Sequence, residues 1–110
     1  MIKLAYCITK RPDLTEEEFF DYWRNIHGPI GARIPGLRRL VQSHTIAGQP
    51  EFRTSDFHGM AELWFDDLEA LAAARQSVEW QASTADEANF IDQTKVALFV
   101  TAEYTIVEQL

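Results

Sequence analysis

Hydrophobic and polar residues alternate along residues 2–9, and this pattern predicts a β-strand. The strand has two faces, with Ile2, Leu4, Tyr6 and Ile8 on one and Lys3, Ala5, Cys7 and Thr9 on the other. Similar alternation predicts further strands over residues 37–46, 58–65 and 95–107. A polar stretch over residues 47–57, which contains a glycine and a proline, is typical of a loop.

Helical spacing follows the first strand. Thr15 is a good helix cap, and Glu18 three residues later completes the pattern of a capping box. The apolar stripe of this helix contains Phe19, Trp23, Ile26 and Ile30. The pair Gly28-Pro29 predicts a stop or kink after His27, because proline lacks an N–H and disfavours a helical residue before it. The helix is then expected to resume to about Ile34.

A second helix is predicted between the third and fourth strands. Asp66 or Asp67 caps it, it extends to about Arg75, and a weaker helical pattern covers residues 79–92. The order βαββαβ indicates one ferredoxin-like α+β domain over residues 1–110, with an antiparallel sheet covered by helices on one face. The last strand is apolar on both faces, so the uncovered face predicts a homodimer formed through the sheet.

Charge narrows the classes of partner. The net charge is −7, and the residues after Ser55 carry eleven acidic against two basic side chains. Such a chain is a poor ligand for nucleic acid and for anionic membranes. No stretch approaches the ~20 apolar residues of a membrane span. The lone Cys7 allows no internal disulfide, which fits a reducing compartment, and the apolar run at the start is too short for a signal peptide; we therefore expect a cytoplasmic protein.

Four segments of the sequence resemble the EthD family: FFDYWRNIHGPI at residues 19–30, IPGLRR at 34–39, AELWFD at 61–66 and DEANFID at 86–92. The resemblance spans nearly the whole chain and is most specific in the Tyr-Trp-x-x-x-His-x-Pro portion. It implies a dimeric α+β barrel and a role in a catabolic or polyketide-tailoring pathway. The family domain is usually tied to oxidoreductase chemistry, and some fungal relatives are described as dehydratases.

A related small enzyme type of this fold isomerises methylated muconolactones. Its site uses a tyrosine and a cysteine on the second and third strands, where this chain has Leu40 and Leu63. The departure argues against that isomerisation. The comparison nevertheless predicts a pocket between the helices and the sheet face that carries these two leucines.

His27 is the predicted catalytic residue, because an imidazole can take or give a proton near neutral pH and the residue matches the family motif. The alternative is a structural histidine that bonds a carbonyl left free by Pro29. Seven residues are predicted to bind substrate: Tyr22, Trp23, Leu40, Gln42, His44, His58 and Leu63. Glu62, an acid within an apolar strand, is expected to pair with Arg38 or Arg39.

No cofactor or metal is expected, because the histidines lack metal-ligand spacing and no phosphate-binding or dinucleotide motif is present. Three functions remain open. The first is a cofactor-free enzyme, either an oxidoreductase or a dehydratase/isomerase, acting on a small apolar, aromatic or polyketide-like compound. The second is a non-catalytic accessory protein that binds and shields an intermediate. The third is a structural dimer with no ligand, which would have a filled space between helices and sheet.

Overall fold

A four-stranded antiparallel sheet forms the centre of the computed structural model, which describes all 110 residues. The strands are β1 (Ile2–Ile8), β2 (Arg39–His44), β3 (Gly59–Phe65) and β4 (Ala97–Ala102). Their order across the sheet is β2-β3-β1-β4, and every neighbouring pair is antiparallel. This arrangement confirms the predicted ferredoxin-like α+β class.

The helices follow β1 and β3, as the βαββαβ order predicts. They are α1 (Glu16–Tyr22), a π-helical turn (Trp23–His27), α2 (Gly28–Gly31), α3 (Leu68–Arg75) and α4 (Val78–Asp86), with 3₁₀ turns at Pro50–Phe52 and Glu87–Asn89. Thr15 and Glu18 form the predicted capping box, with hydrogen bonds of 3.1 and 2.9 Å. None of these helices has both the length and the apolar composition of a membrane span.

The interruption of the first helix differs from the prediction. The helix widens into the π turn before Gly28, whose N–H bonds to the carbonyl of Trp23, and continues through Pro29 to Gly31. Pro29 lies within the first turn of α2, where its missing N–H removes no bond that the helix needs. The sequence therefore predicted a disturbance correctly, but the structure places it one turn earlier.

The last strand is shorter than predicted. Residues 95–107 alternate, yet β4 ends at Ala102, which pairs with Ile2, the first residue of β1. From Glu103 onwards the chain has no neighbouring strand in this sheet to bond with. Several apolar side chains beyond that point are exposed, namely Tyr104, Ile106, Val107 and Leu110.

The helices cover the sheet face that carries Leu4, Tyr6 and Ile8. Two apolar clusters form between the layers, one of Leu4, Ile34, Leu63, Phe65, Leu71 and Ala74, the other of Ile8, Phe19, Trp23, Phe90 and Ile91. The opposite, uncovered face carries residues from all four strands, including Lys3, Ala5, Val41, Glu62 and Phe99. We call it the open face.

Candidate functional site

A cavity of about 340 Å³ lies between the sheet and the helices, bordered by both apolar clusters. Four of the predicted substrate-binding residues line it together with His27: Trp23, Leu40, Gln42 and Leu63. Other apolar lining residues include Leu4, Ile34 and Trp80. Such a volume is enough for a small organic molecule. The space that a structural dimer without ligand would fill with side chains is therefore open.

His27 is fixed in the cavity wall by Asp86. Its Nδ1 lies 2.8 Å from Asp86 Oδ2, and the two side chains are only 15% and 11% exposed. The other ring nitrogen, Nε2, has no hydrogen-bond partner in the protein. Nε2 is also not fully buried. Only one unpartnered side-chain polar atom is fully buried in this protein, and it is the hydroxyl oxygen of Thr9. Asp86 thus holds the ring and leaves Nε2 free for a ligand.

Asp86 collects three hydrogen bonds. Besides His27, Tyr22 donates its hydroxyl over 2.6 Å and Asn89 its amide over 3.0 Å. Burial alone would raise the pKa of Asp86, but the bonds from Tyr22, His27 and Asn89 outweigh it and hold that pKa below its usual range. Asp86 is therefore ionised at neutral pH and can accept a hydrogen bond from His27 Nδ1, which orients the ring.

The neighbouring acid, Glu87, has the opposite environment. It lines the cavity and accepts one long hydrogen bond, 3.3 Å, from the hydroxyl of Tyr6. Burial raises the pKa of Glu87 to about 7, against the opposing effect of the Tyr6 bond. Burial and the charge of Glu87 also raise the pKa of Tyr6, so its hydroxyl keeps its proton. The pKa values of two adjacent carboxyl groups are therefore shifted in opposite directions.

Gln42 and His44 support the π turn from the sheet. Gln42 Nε2 donates to the carbonyl of Trp23 over 2.7 Å, and its Oε1 lies 2.9 Å from His44 Nε2. The His44 ring stacks on Phe20 and Trp23, with ring centroids 4.9 and 4.4 Å apart. His44 does not line this cavity, because its ring stacks on Phe20 and Trp23, and its contact with substrate stays a prediction.

His58 and Tyr22 also lie outside the cavity lining. His58 Nδ1 accepts a hydrogen bond from the Lys10 N–H over 3.2 Å, and its Nε2 lies 3.6 Å from Glu16 Oε1. These contacts place His58 beyond the far end of α1, so its predicted contact with substrate is not supported. Tyr22 reaches the site indirectly, through Asp86.

Glu62 lies on the open face and pairs with Lys3, not with the predicted Arg38 or Arg39. The distance from Lys3 Nζ to Glu62 Oε2 is 2.7 Å. Arg39 instead lies over the ring of Trp64, 4.6 Å from its centroid. In the register of β1 and β3, Lys3 faces Trp64 and Ala5 faces Glu62, so Lys3 and Glu62 are diagonal neighbours on the open face. Nowhere do three His, Cys, Asp or Glu side chains meet as a metal site would require.

Asp86 and Glu87 were not predicted as site residues, because the helical pattern of residues 79–92 placed them inside a helix; the signal for them is the EthD-like segment DEANFID, which contains both. Both acids lie at the carboxyl end of a helix, where the helix dipole disfavours negative charge. Acids at such a position need another partner. The partners, His27 and Tyr6, are 59 and 81 residues away along the chain.

Comparison with known proteins agrees with this architecture. The family model of the EthD domain matches residues 11–94. An EthD family protein of Bacillus halodurans C-125 is 31% identical, and the match covers 94% of this chain and 99% of that chain with a TM-score of 0.77. No curated protein matches this chain in sequence.

Two more distant structures share the fold. A dimeric protein of unknown function with a ferredoxin-like fold, from Bacteroides fragilis, is 14% identical, with coverage of 91% and 93% and a TM-score of 0.66. SnoaB, a cofactor-independent oxygenase from Streptomyces nogalater, is 17% identical, with coverage of 97% of both chains and a TM-score of 0.66. At these identities the likeness concerns the fold alone. The match to the EthD domain covers most of the chain, and the chain therefore belongs to the EthD family.

Proposed function

We propose that this protein is a cofactor-independent enzyme, an oxidoreductase or a dehydratase/isomerase, acting in the cytoplasm in a catabolic or tailoring pathway. Its substrate is a small apolar, aromatic or polyketide-like molecule bound in the cavity. The observation that carries the proposal is His27, whose Nδ1 is held by the ionised Asp86 while Nε2 is free. A ring fixed in this way is suited to act as a general acid or base.

The cavity supports the class of substrate. Its walls are largely apolar, and the polar groups are few: besides His27 they include Glu87, Ser83 and Thr84. The exposed Arg75 also borders the cavity and has no acidic partner. An apolar body with one or two oxygen groups matches such walls. The fold accommodates chemistry without a cofactor, since SnoaB is a cofactor-independent oxygenase.

A non-catalytic accessory protein is the second candidate. Gln42 supports it, because both ends of its side-chain amide are engaged within the protein and it has little left to offer a reacting group. A carrier needs an apolar cavity that excludes water, and it does not need a titratable group. The contribution of His27 to turnover therefore separates the two functions.

Crystals soaked with a panel of small aromatic ketones, phenols and lactones test the proposal first. We expect a ligand in the cavity, with an oxygen or an acidic C–H within about 3 Å of His27 Nε2. Soaks of the Trp80→Ala variant are the control, because this variant changes the apolar wall of the cavity and leaves His27 in place. If no compound enters the cavity, or if bound compounds leave Nε2 untouched, the assignment of His27 is overturned.

We propose that two copies associate through the open face and β4. Three β4 residues are exposed despite their apolar side chains, namely Leu98, Phe99 and Val100, at 59%, 50% and 46%. Further exposed apolar residues follow Ala102 along the chain. Unpartnered apolar area of this kind is typical of a subunit interface. The Bacteroides fragilis protein of the same fold is described as dimeric.

Replacing Phe99 by aspartate is expected to dissociate this dimer. An unpaired carboxylate from each copy would be buried at the interface, and we expect the dissociation constant to rise by about 10²-fold or more. Sedimentation equilibrium measures the dissociation constant of the dimer. The control is Leu68→Asp, which adds the same charge at an exposed apolar position on α3. A monomeric wild type, or a Phe99→Asp dimer of unchanged affinity, contradicts the proposed interface.

A further inference from the structure

Asp86 and Glu87 are consecutive residues whose side chains point to different surroundings. Asp86 binds His27, Tyr22 and Asn89, whereas Glu87 lines the cavity and binds Tyr6. The first carboxyl accepts three hydrogen bonds and the second accepts one. Hydrogen bonds to a carboxyl oxygen stabilise its ionised form, so the two groups are set up for opposite protonation states.

We infer that Glu87 is the acid of this cavity, complementary to His27 as the base, and that the substrate is an enolisable ketone. The inference rests on the proposed function, since it needs a reaction in this cavity. Both side chains line the same space. Glu87 Oε1 has no hydrogen-bond partner in the protein, so a protonated Glu87 can offer an O–H to a ligand.

The step balances without an oxidant or a cofactor. His27 Nε2 takes a proton from the carbon next to the carbonyl, and that C–H electron pair becomes the new C=C bond. The C=O π pair moves to the oxygen, which receives the proton of Glu87. The products are a neutral enol, a protonated His27 beside the ionised Asp86, and an ionised Glu87 that accepts the Tyr6 hydroxyl. These transfers are a keto–enol tautomerisation, and their reversal restores the ketone, the neutral His27 and the protonated Glu87, so that in D₂O the α-hydrogen is exchanged.

Tyr6 is a positioning residue in this scheme. Its hydroxyl donates to Glu87, which holds the carboxyl in place and favours the anion that forms when the proton leaves. Asp86, the last residue of α4, precedes Glu87, and the other charged or titratable groups of the cavity lining are His27 in the π turn and Arg75 at the end of α3. Arg11 lies behind the 3₁₀ turn, with its guanidinium bonded to the carbonyl of Ala88 over 3.2 Å.

The protonation of Glu87 sets the expected pH dependence. Burial raises its pKa to about 7, so the acid is available below that pH and is lost as the pH rises through it. The Tyr6→Phe variant removes a bond that lowers the pKa of Glu87. The pH at which this variant loses activity on the alkaline side should therefore be higher than in the wild type. A merely structural Tyr6 would not produce that shift.

The test uses α-tetralone, a bicyclic ketone, and follows exchange of its α-hydrogens with D₂O by proton NMR. We expect the wild-type dimer to accelerate exchange, and Glu87→Gln to slow it by about 10²-fold or more. The control is Glu69→Gln, which replaces an exposed acid on α3 and should exchange α-tetralone as the wild type does.

A second measurement follows the titration of the glutamate carboxyl groups directly. In ¹³C NMR of wild-type protein labelled at these carboxyls, one group should titrate with a midpoint near pH 7.

The outcomes separate this inference from the proposed function. Full activity in Glu87→Gln with none in His27→Asn overturns the role of Glu87 and leaves His27 in place. The same holds if every glutamate carboxyl titrates in the ordinary range, a measurement that needs no variant to fold. Bound α-tetralone that the wild type does not exchange overturns the ketone class. Failure of every compound to enter the cavity overturns the proposed function instead.

Discussion

Replacing His27 by asparagine is expected to lower turnover by about 10²- to 10⁴-fold, the range typical of a lost general acid or base. The asparagine amide can still donate to Asp86, so the wall of the cavity should keep its shape. It has no nitrogen that takes up a proton, so transfer at the position of Nε2 stops. Binding of the ligand should change little, because the apolar walls are intact.

The measurement pairs kcat with the ligand Kd, the latter from titration calorimetry on the compound found in the soaked crystals. His58→Asn is the matched control, since His58 lies outside the cavity and asparagine can still accept the Lys10 N–H. An enzyme loses kcat in the His27 variant and keeps its Kd. Unchanged turnover in His27→Asn would refute the role of His27, and a protein with affinity but no turnover in the wild type is a carrier.

Replacing Gly59 by alanine is expected to destabilise the fold by about 3 kcal/mol or more. A Cβ at Gly59 would overlap the Ser43 carbonyl oxygen and would lie 2.8 Å from two ring carbons of Trp23. Neither neighbour moves easily, because Ser43 belongs to β2 and the Trp23 ring is 1% exposed and stacked on His44. Overpacking against backbone and a locked ring costs more than overpacking against a flexible chain.

Chemical denaturation measures this loss as a lower midpoint at an unchanged m-value. Gly31→Ala is the control, because its new Cβ would lie 3.6 Å from Leu40 Cδ2, an ordinary contact, and alanine favours a helix. Equal midpoints for Gly59→Ala and the wild type would show that β2 and Trp23 yield at little cost. Since Trp23 begins the π turn that ends at His27, a shifted ring should also reduce turnover in any Gly59→Ala that folds.

The fold was predictable because its signals are local. Alternation in residues 2–9 identified β1, and the Thr15 capping box located the start of α1 within one residue. The extent of β4 was not predictable, since it depends on where the partner strand β1 begins. The π turn was also missed, because its bonds form only in the folded chain: the Trp23 carbonyl accepts from the Gly28 N–H and from Gln42 on β2.

The site was predictable only in part, because several of its contacts join residues that are distant in sequence. The motif around His27 identified that residue, and strand parity placed Leu40, Gln42 and Leu63 on the correct face. Parity also put His44 on that face, but stacking on Trp23 is a tertiary contact that parity does not reveal. Asp86 and Glu87 acquire their roles only through residues distant in sequence.

The order of the strands has a consequence for how the chain folds. The interior strand β1 is made before the others, yet Leu4 pairs with Leu63 and with Val100, far along the chain. Synthesis must reach β4 before both edges of β1 are covered. Contacts of such long range close slowly, since loop entropy is lost before the pairing is gained. Until then β1 lacks the partners that cover its edges in the folded protein, and unpaired strand edges are a general route to aggregation.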